Sequence, residues 1–291
     1  MHLALTGKQA SKGEVPKTSR WAQLPGLCCQ AAGGLEEWAD EVTLTWLLFY
    51  AAADLMDSVQ DQDEPDEWWR EQGSGAALAA ASGLYFTGSF LLDRLNHKAG
   101  TSPPASSVGA AFYQAFMVMT SGQYRDLIAP ARTLEDYWRL AEAKSGAFFR
   151  LACLAGARLG TSDQVALSAY ANYGMHLGLL IQVMDDLDDI RRLHDLVPTQ
   201  FIGKIKGSLP FMYAMELSPS PARERLWVCL EASDKDRSAV NALVALLDEC
   251  QAALYVMAEM EKQRGLALAS LEQAGALEPY RDALAALVTD L

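Results

Sequence analysis

Four carboxylates fall within five residues at Asp185-Asp186-Leu187-Asp188-Asp189. The stretch before them, Tyr173 to Met184, is mostly apolar with helical spacing, so Asp185 and Asp189 share one helix face with Asp186 beside them. Like charges that close repel, and in an apolar helix they are costly unless something positive sits on them. Hard divalent cations, Mg2+ above all, favour carboxylate and water oxygens and often bring a phosphate along. An acidic helix end facing solvent would need the same residues and no ligand.

A second acidic stretch follows the apolar run Val42 to Ala53. Asp57 and Asp61 are again four apart, and Asp54 precedes Asp57 by three on the same face. Two apolar helices that each end in a carboxylate face, opposed across a bundle, would make a metal cage around a phosphate group. Asp57, Asp61, Asp185, Asp186 and Asp189 are the candidate metal ligands on this reading.

The elements that must position them read as helices. They are expected over Trp21 to Ala32, over Leu35 to Ala53 and on into the first acidic face, and over Ala76 to Asn96 and Val108 to Leu127. Thr133 is an N-cap candidate for Leu134 to Leu159, and Ser162 opens a helix to about Asp189. Further helices are expected over Leu209 to Leu217, Ala222 to Glu231, Ser238 to Arg264 and Pro279 to Leu291. Ala76 to Asn96, apolar nearly all round, is expected to be central. Arg191 to Gly207 reads as a mixed, basic stretch without an assigned element. Alternating β-branched runs are almost absent, so the fold class is all-α. Residues 1–19 read as a flexible N-terminal segment and 20–291 as one domain, since no linker, repeat or low-complexity block divides them.

The 291 residues are about half apolar, ample for a large core. A net charge of −13 with scattered basic residues argues against a nucleic-acid partner. An acidic protein handling a polyphosphate would need metal ions between like charges. The five cysteines show no zinc-ligand spacing, which points to buried thiols in a reducing cytoplasm. The N-terminus has no signal-peptide core, and no apolar run reads as long enough for a transmembrane segment.

Basic residues recur beside hydroxyls and glycines. Lys17 and Arg20, three apart, could face one anion. Gly122-Gln123 lies near the end of the helix from Val108, and Lys144-Ser145-Gly146 interrupts an apolar stretch holding Phe148, Phe149 and Leu151. A lysine there either reaches the surface along its stem or meets a buried anion. Lys206-Gly207-Ser208-Leu209-Pro210 repeats the lysine and hydroxyl theme.

In this order, the pieces resemble the trans-isoprenyl diphosphate synthases, the polyprenyl synthetases, from about Lys17 to Leu217. Asp185-Asp186-Leu187-Asp188-Asp189, preceded by Gln182, resembles the family's second aspartate-rich motif; Asp57-Ser58-Val59-Gln60-Asp61 resembles the first, with its second aspartate lost. Lys17 with Arg20, Gly122-Gln123, Lys144-Ser145 and Lys206 to Pro210 resemble the remaining motifs. Two places depart. Asp66-Glu67-Trp68-Trp69-Arg70 stands where the family has paired arginines, and Tyr50 stands where it has a histidine or glutamine. The string from Ala53 to Trp68, with Lys144-Ser145-Gly146, is similar to the ComQ branch, which isoprenylates a tryptophan of a bacterial pheromone peptide; that branch often has a degenerate second motif, and here it is intact.

The resemblance implies an isoprenoid synthase bundle around a central cavity, usually dimeric. It implies a reaction that breaks an allylic carbon–oxygen bond, with about three Mg2+ ions on Asp57, Asp61, Asp185 and Asp189 and Asp186 as a further ligand or a support. Lys144, Lys206, Ser145, Gln123 and Gln182 would hold the allylic diphosphate, and Lys17, Arg20 and Arg70 an acceptor diphosphate at the place that also contains Tyr50. A dry cavity would have walls from Phe49, Ala51, Ala52, Ala53, Phe112 and Tyr113; small residues at Ala52 and Ala53 imply room for a longer chain. Lys17 and Arg20 favour isopentenyl diphosphate as the acceptor, while Tyr50, Ser58 and the missing arginine pair favour a peptide tryptophan. A terpene cyclase, which needs no acceptor diphosphate, and a non-catalytic partner subunit remain as alternatives.

Overall fold

The computed structural model describes residues 21–61, 71–98, 106–129, 131–193, 198–233 and 236–291. Lys17, Arg20, Trp68, Trp69 and Arg70 lie outside them, as do the proposed N-terminal segment and the side chain of Asp61. Among the described residues there are helices and no strand, as the sequence predicts.

The helices are α1 (Leu24–Ala31), α2 (Glu36–Asp61), α3 (Ser74–Lys98), α4 (Ser106–Ile128), α5 (Leu134–Ala141), α6 (Ala147–Gly160) and α7 (Gln164–Arg191). They continue as α8 (Pro198–Gly207), α9 (Leu209–Leu217), α10 (Ser220–Ala232), α11 (Arg237–Glu249), α12 (Ala252–Gln273) and α13 (Tyr280–Thr289). Two N-caps fix starts that the site depends on. Thr133 accepts from the Asp136 N–H at 3.1 Å to begin α5, and Asp163 accepts from the Val165 N–H at 3.0 Å to begin α7.

α7 is the central helix: it packs against both α6 and α12, and its buried residues run from Leu167 to Leu187. Glycine permits that closeness. A Cβ at Gly174 would overlap the Phe149 carbonyl, and one at Gly178 the Ser145 carbonyl. The main core joins α1, α2, α6 and α7, with Trp46 stacked on Phe148 at 4.8 Å and Tyr50 at 5.2 Å from Trp46. Beside it, Phe49 meets Phe116 at 4.8 Å and Phe112 at 5.2 Å.

Several expectations are corrected. α3 is not central; among its described residues only Ala77, Ala81, Gly88, Leu92 and Leu95 are buried, while Phe86 and Phe90 are 70% and 63% exposed. An apolar circumference tells nothing of how many faces find partners. Two helical stretches, Glu36–Gln60 and Ser74–His97, are long and apolar enough by length and composition to cross a membrane, although the sequence reading found none. α2 nonetheless buries Trp46, Phe49 and Tyr50 within the protein and holds Asp54 and Asp57. The helix expected over Leu134 to Leu159 opens into one wider π-turn at Glu142–Gly146. The helix expected over Ser238 to Arg264 breaks by 59° at Gln251, whose φ of 56° is rare outside glycine. α8 forms within the stretch that had no assigned element.

The glycine contacts yield a paired prediction. Gly174→Ala should destabilise the protein by about 1–3 kcal/mol, since the overlap is with backbone. Gly265→Ala, exposed within α12 with nothing near its Cβ position, should stabilise by about 0.5–1 kcal/mol. Urea denaturation of the two variants and the parent measures both.

Candidate active site

The π-turn is the hub of the site. Such turns are frequent where function needs an aimed side chain. Gly122 on α4 lets the turn approach: its Cβ position lies 2.9 Å from Ala143 Cβ and 3.5 Å from Lys144 Cγ. Lys144 Nζ then lies 3.0 Å from Asp126 Oδ2 on α4 and 3.6 Å from Asp57 Oδ1 on α2. Both ion pairs are mostly sheltered, with Lys144 19% and Asp57 22% exposed. Asp126 was not singled out from the sequence; its place one helical turn after Gly122 was the available signal.

The next residue points to a different helix. Ser145 Oγ donates to Gln182 Oε1 at 2.7 Å, and Gln182 Nε2 donates to Asp186 Oδ1 at 3.1 Å. Asp186 Oδ2 accepts from the Tyr137 hydroxyl at 2.7 Å and from the Leu209 N–H at 2.8 Å. So Asp186, expected as a metal ligand or a support, is buried with both oxygens engaged; Ser145 and Gln182, expected on the diphosphate, are joined to it. Burial pushes the Asp186 carboxyl up to about 7, against three hydrogen bonds that favour its charged form.

Charges from both acidic stretches reach Tyr50. Burial raises its hydroxyl far above the ordinary value, and the charges of Asp54, Asp185 and Asp57 raise it further. That hydroxyl is fully buried and has no hydrogen-bond partner, as does the neighbouring Trp46 indole N–H. Buried polar groups are seldom left so, and two together mark a place where an acceptor is missing. Asp189 is raised by burial and opposed by the charge of Lys204. Lys204 was not singled out from the sequence; Lys206, which was, stands over the Trp227 ring at 5.2 Å. Of the expected cavity walls, Phe49, Ala52 and Phe112 are buried and Ala53 is half-buried, whereas Tyr113 is half exposed and is not a wall. Gln123 is half-buried on α4.

Among the described residues no group of three His, Cys, Asp or Glu is close enough to hold a metal ion by itself. Mg2+ rarely needs such a cage; one or two carboxylates with phosphate oxygens and water are its usual shell. The oxygen-only ligands Asp57 and Asp185, whose charges reach the unpartnered Tyr50 hydroxyl, and Asp189 four residues after Asp185, fit that mode.

Comparison with known proteins agrees with the architecture. The family model for polyprenyl synthetase matches residues 28–247, and the chain belongs to that family. It is 26% identical over 137 residues to a geranylgeranyl diphosphate synthase of Mycobacterium tuberculosis, spanning 46% of this chain and 38% of that protein. It is also 26% identical over 204 residues to a (2E,6E)-farnesyl diphosphate synthase of Mycobacterium bovis, spanning 66% of this chain and 55% of that one. The chain thus matches about half or less of the length of these curated relatives. The fold is that of a polyprenyl synthetase from Streptomyces coelicolor A3(2), with a TM-score of 0.79 at 24% identity over 99% of this chain and 88% of the other.

The Asp186 shift has a definite sign. Its folded value of about 7 lies above the ordinary 3.8, so the folded state holds the proton more firmly. Its contribution to stability is fully present below about pH 4 and is lost as the pH rises through about 7. The melting temperature of the metal-free protein should fall across that window, and the fall should be smaller in Asp186→Asn.

Proposed function

We propose that this chain is a Mg2+-dependent prenyltransferase that ionises an allylic isoprenyl diphosphate and transfers the isoprenyl group to isopentenyl diphosphate. The observation that carries this reading is Lys144 set 3.6 Å from Asp57 between the two acidic stretches, whose charges both reach the buried Tyr50. The names of the curated relatives support the reaction class.

Mg2+ on Asp57, Asp61, Asp185 and Asp189, at about three ions per site, would neutralise the charge that builds on the leaving diphosphate. Lys144 supplies a fixed positive charge beside those carboxylates, and Lys204 a second one near Asp189. The allylic carbon–oxygen bond breaks with its electron pair left on the diphosphate. The double bond of the acceptor then forms the new carbon–carbon bond, and one proton leaves. Phe49, Phe112 and Phe116 form an aromatic wall that excludes water and offers ring faces to a developing cation. Lys206, Gln123 and, through Asp186, Ser145 and Gln182 support the diphosphate region. Lys17, Arg20 and Arg70 remain assigned to the acceptor diphosphate.

One observation favours a second reading. The phenol of Tyr50 lies wholly buried where the family grips the acceptor diphosphate. A buried phenol suits an acceptor without a diphosphate, either a peptide tryptophan, as in the ComQ branch, or the substrate's own double bond in a cyclisation. We also assign a homodimer, for which the exposed Phe86, Phe90 and Met117 offer apolar surface. Residues 20–291 are taken as one domain, and five unbridged cysteines fit the reducing cytoplasm.

Incubation with geranyl, farnesyl or geranylgeranyl diphosphate and Mg2+ decides between the readings. A longer diphosphate formed only with isopentenyl diphosphate supports elongation; a hydrocarbon formed without it selects cyclisation; no turnover with either rejects both and leaves the peptide acceptor or a non-catalytic partner. Whichever product forms, Asp57→Asn and Lys144→Ala should each lower kcat by about 100- to 1,000-fold.

A further inference from the structure

We propose that Tyr137 is a positioning residue for this site: through Asp186 it sets where the acidic rim of α7 stands relative to the lysine-bearing last turn of α8. The inference rests on the prenyltransferase reading and adds to it a residue that does not touch substrate.

The joint is built from one carboxylate. Tyr137 on α5 is 4% exposed, and its hydroxyl shares Asp186 Oδ2 with the Leu209 N–H. Gln182 takes the other oxygen and passes the connection to Ser145 in the π-turn. Four elements, α5, the π-turn, α7 and α9, therefore meet at Asp186. A carboxylate has about four lone-pair sites, and three are filled by protein donors. What remains for a cation is small, although the residue stands between Asp185 and Asp189.

Asp186 also does the work of a helix cap. Ser208, in the N-cap position of α9, turns its hydroxyl back to donate to the Ile205 carbonyl at 2.8 Å and makes no cap bond. The Leu209 N–H, one of the unsatisfied donors at the start of α9, is instead taken by Asp186 from a helix 23 positions earlier in sequence. The positive end of α9 in turn favours the carboxylate charge. Lys204 and Lys206 lie in the last turn of α8, which ends at this cap, so the angle of Asp186 fixes where that lysine turn stands. The Tyr137 hydroxyl holds that angle from the side opposite in sequence, and its ring is seated edge-on against Trp138 at 5.2 Å.

Removal of the hydroxyl alone tests this. Tyr137→Phe keeps the ring and its packing. Supporting groups of this kind are worth about 10- to 100-fold in metal affinity or activity. The variant should bind Mg2+ with inorganic pyrophosphate about tenfold more weakly in calorimetric titration. It should also need about tenfold more Mg2+ for half-maximal turnover of the allylic diphosphate. Asp186→Asn should show a comparable loss, and the double variant should lose no more than the larger single loss, because both act through one bond. A variant that melts earlier but binds Mg2+ and pyrophosphate as the parent does would show a merely structural tyrosine and overturn the proposal, as would additive losses. If Tyr137→Phe does not fold, Asp186→Asn decides by the same titration: unchanged binding overturns the proposal and weakened binding supports it. If the parent protein itself fails to bind Mg2+ with pyrophosphate, the functional reading fails and this inference falls with it.

Discussion

Carboxylates set into a packed apolar helix are the constraint from which the rest of this structure follows. α7 is buried from Leu167 to Leu187 and carries Asp185 and Asp186 at 8% and 7% exposure. Each such charge needs a donor or a cation within a few ångströms, or it is destabilising by several kcal/mol. For Asp186 the donors are the Tyr137 hydroxyl, Gln182 and the Leu209 N–H, and glycine lets the turn that supports Gln182 approach. Gly178 brings the π-turn, with Ser145, against α7, and Gly122 brings α4, with Asp126, against Lys144. In a chain of net charge −13, the lysines that matter are those placed by these close contacts.

The π-turn resolves a geometric problem. Lys144 must face Asp126 on α4 and Asp57 on α2, while Ser145 must face Gln182 on α7. Successive residues of a regular helix are separated by about 100°, and the wider turn alters the phase locally so that adjacent side chains serve different neighbours. It also divides the helix in two. α5 brings Tyr137 to the far end of the Asp186 network, and α6 continues beneath the aromatic core through Phe148 and Phe149.

Much of this was legible in the sequence. The apolar helical periodicity before Asp57 and Asp185, the cap at Thr133 and the position of Lys144 all correspond to what the structure contains. What periodicity does not carry is which partners exist. It could not show that α3 leaves Phe86 and Phe90 uncovered, nor that a left-handed Gln251 breaks one helix into two. Tyr137, Asp126 and Lys204 escaped because each matters only through a contact with a residue distant in the chain: Asp186 49 positions later, Lys144 18 positions later and Asp189 on another helix.

The same geometry explains why the first acidic motif tolerates a serine. In the second motif, the residue after the leading aspartate is Asp186, rotated away from the Asp185 face into the bundle and satisfied by three protein donors. The corresponding residue of the first motif is Ser58, which is 3% exposed, while Asp57 beside it faces Lys144. The second place in each motif is therefore a packing position, set about 100° from the face that carries Asp57 or Asp185. A carboxylate at position 58 would need its own set of donors; a hydroxyl can be satisfied by helix backbone. Loss of that aspartate removes a buried charge and leaves Asp57 in its place beside Lys144, so the departure from the family pattern lies in how the helix is braced.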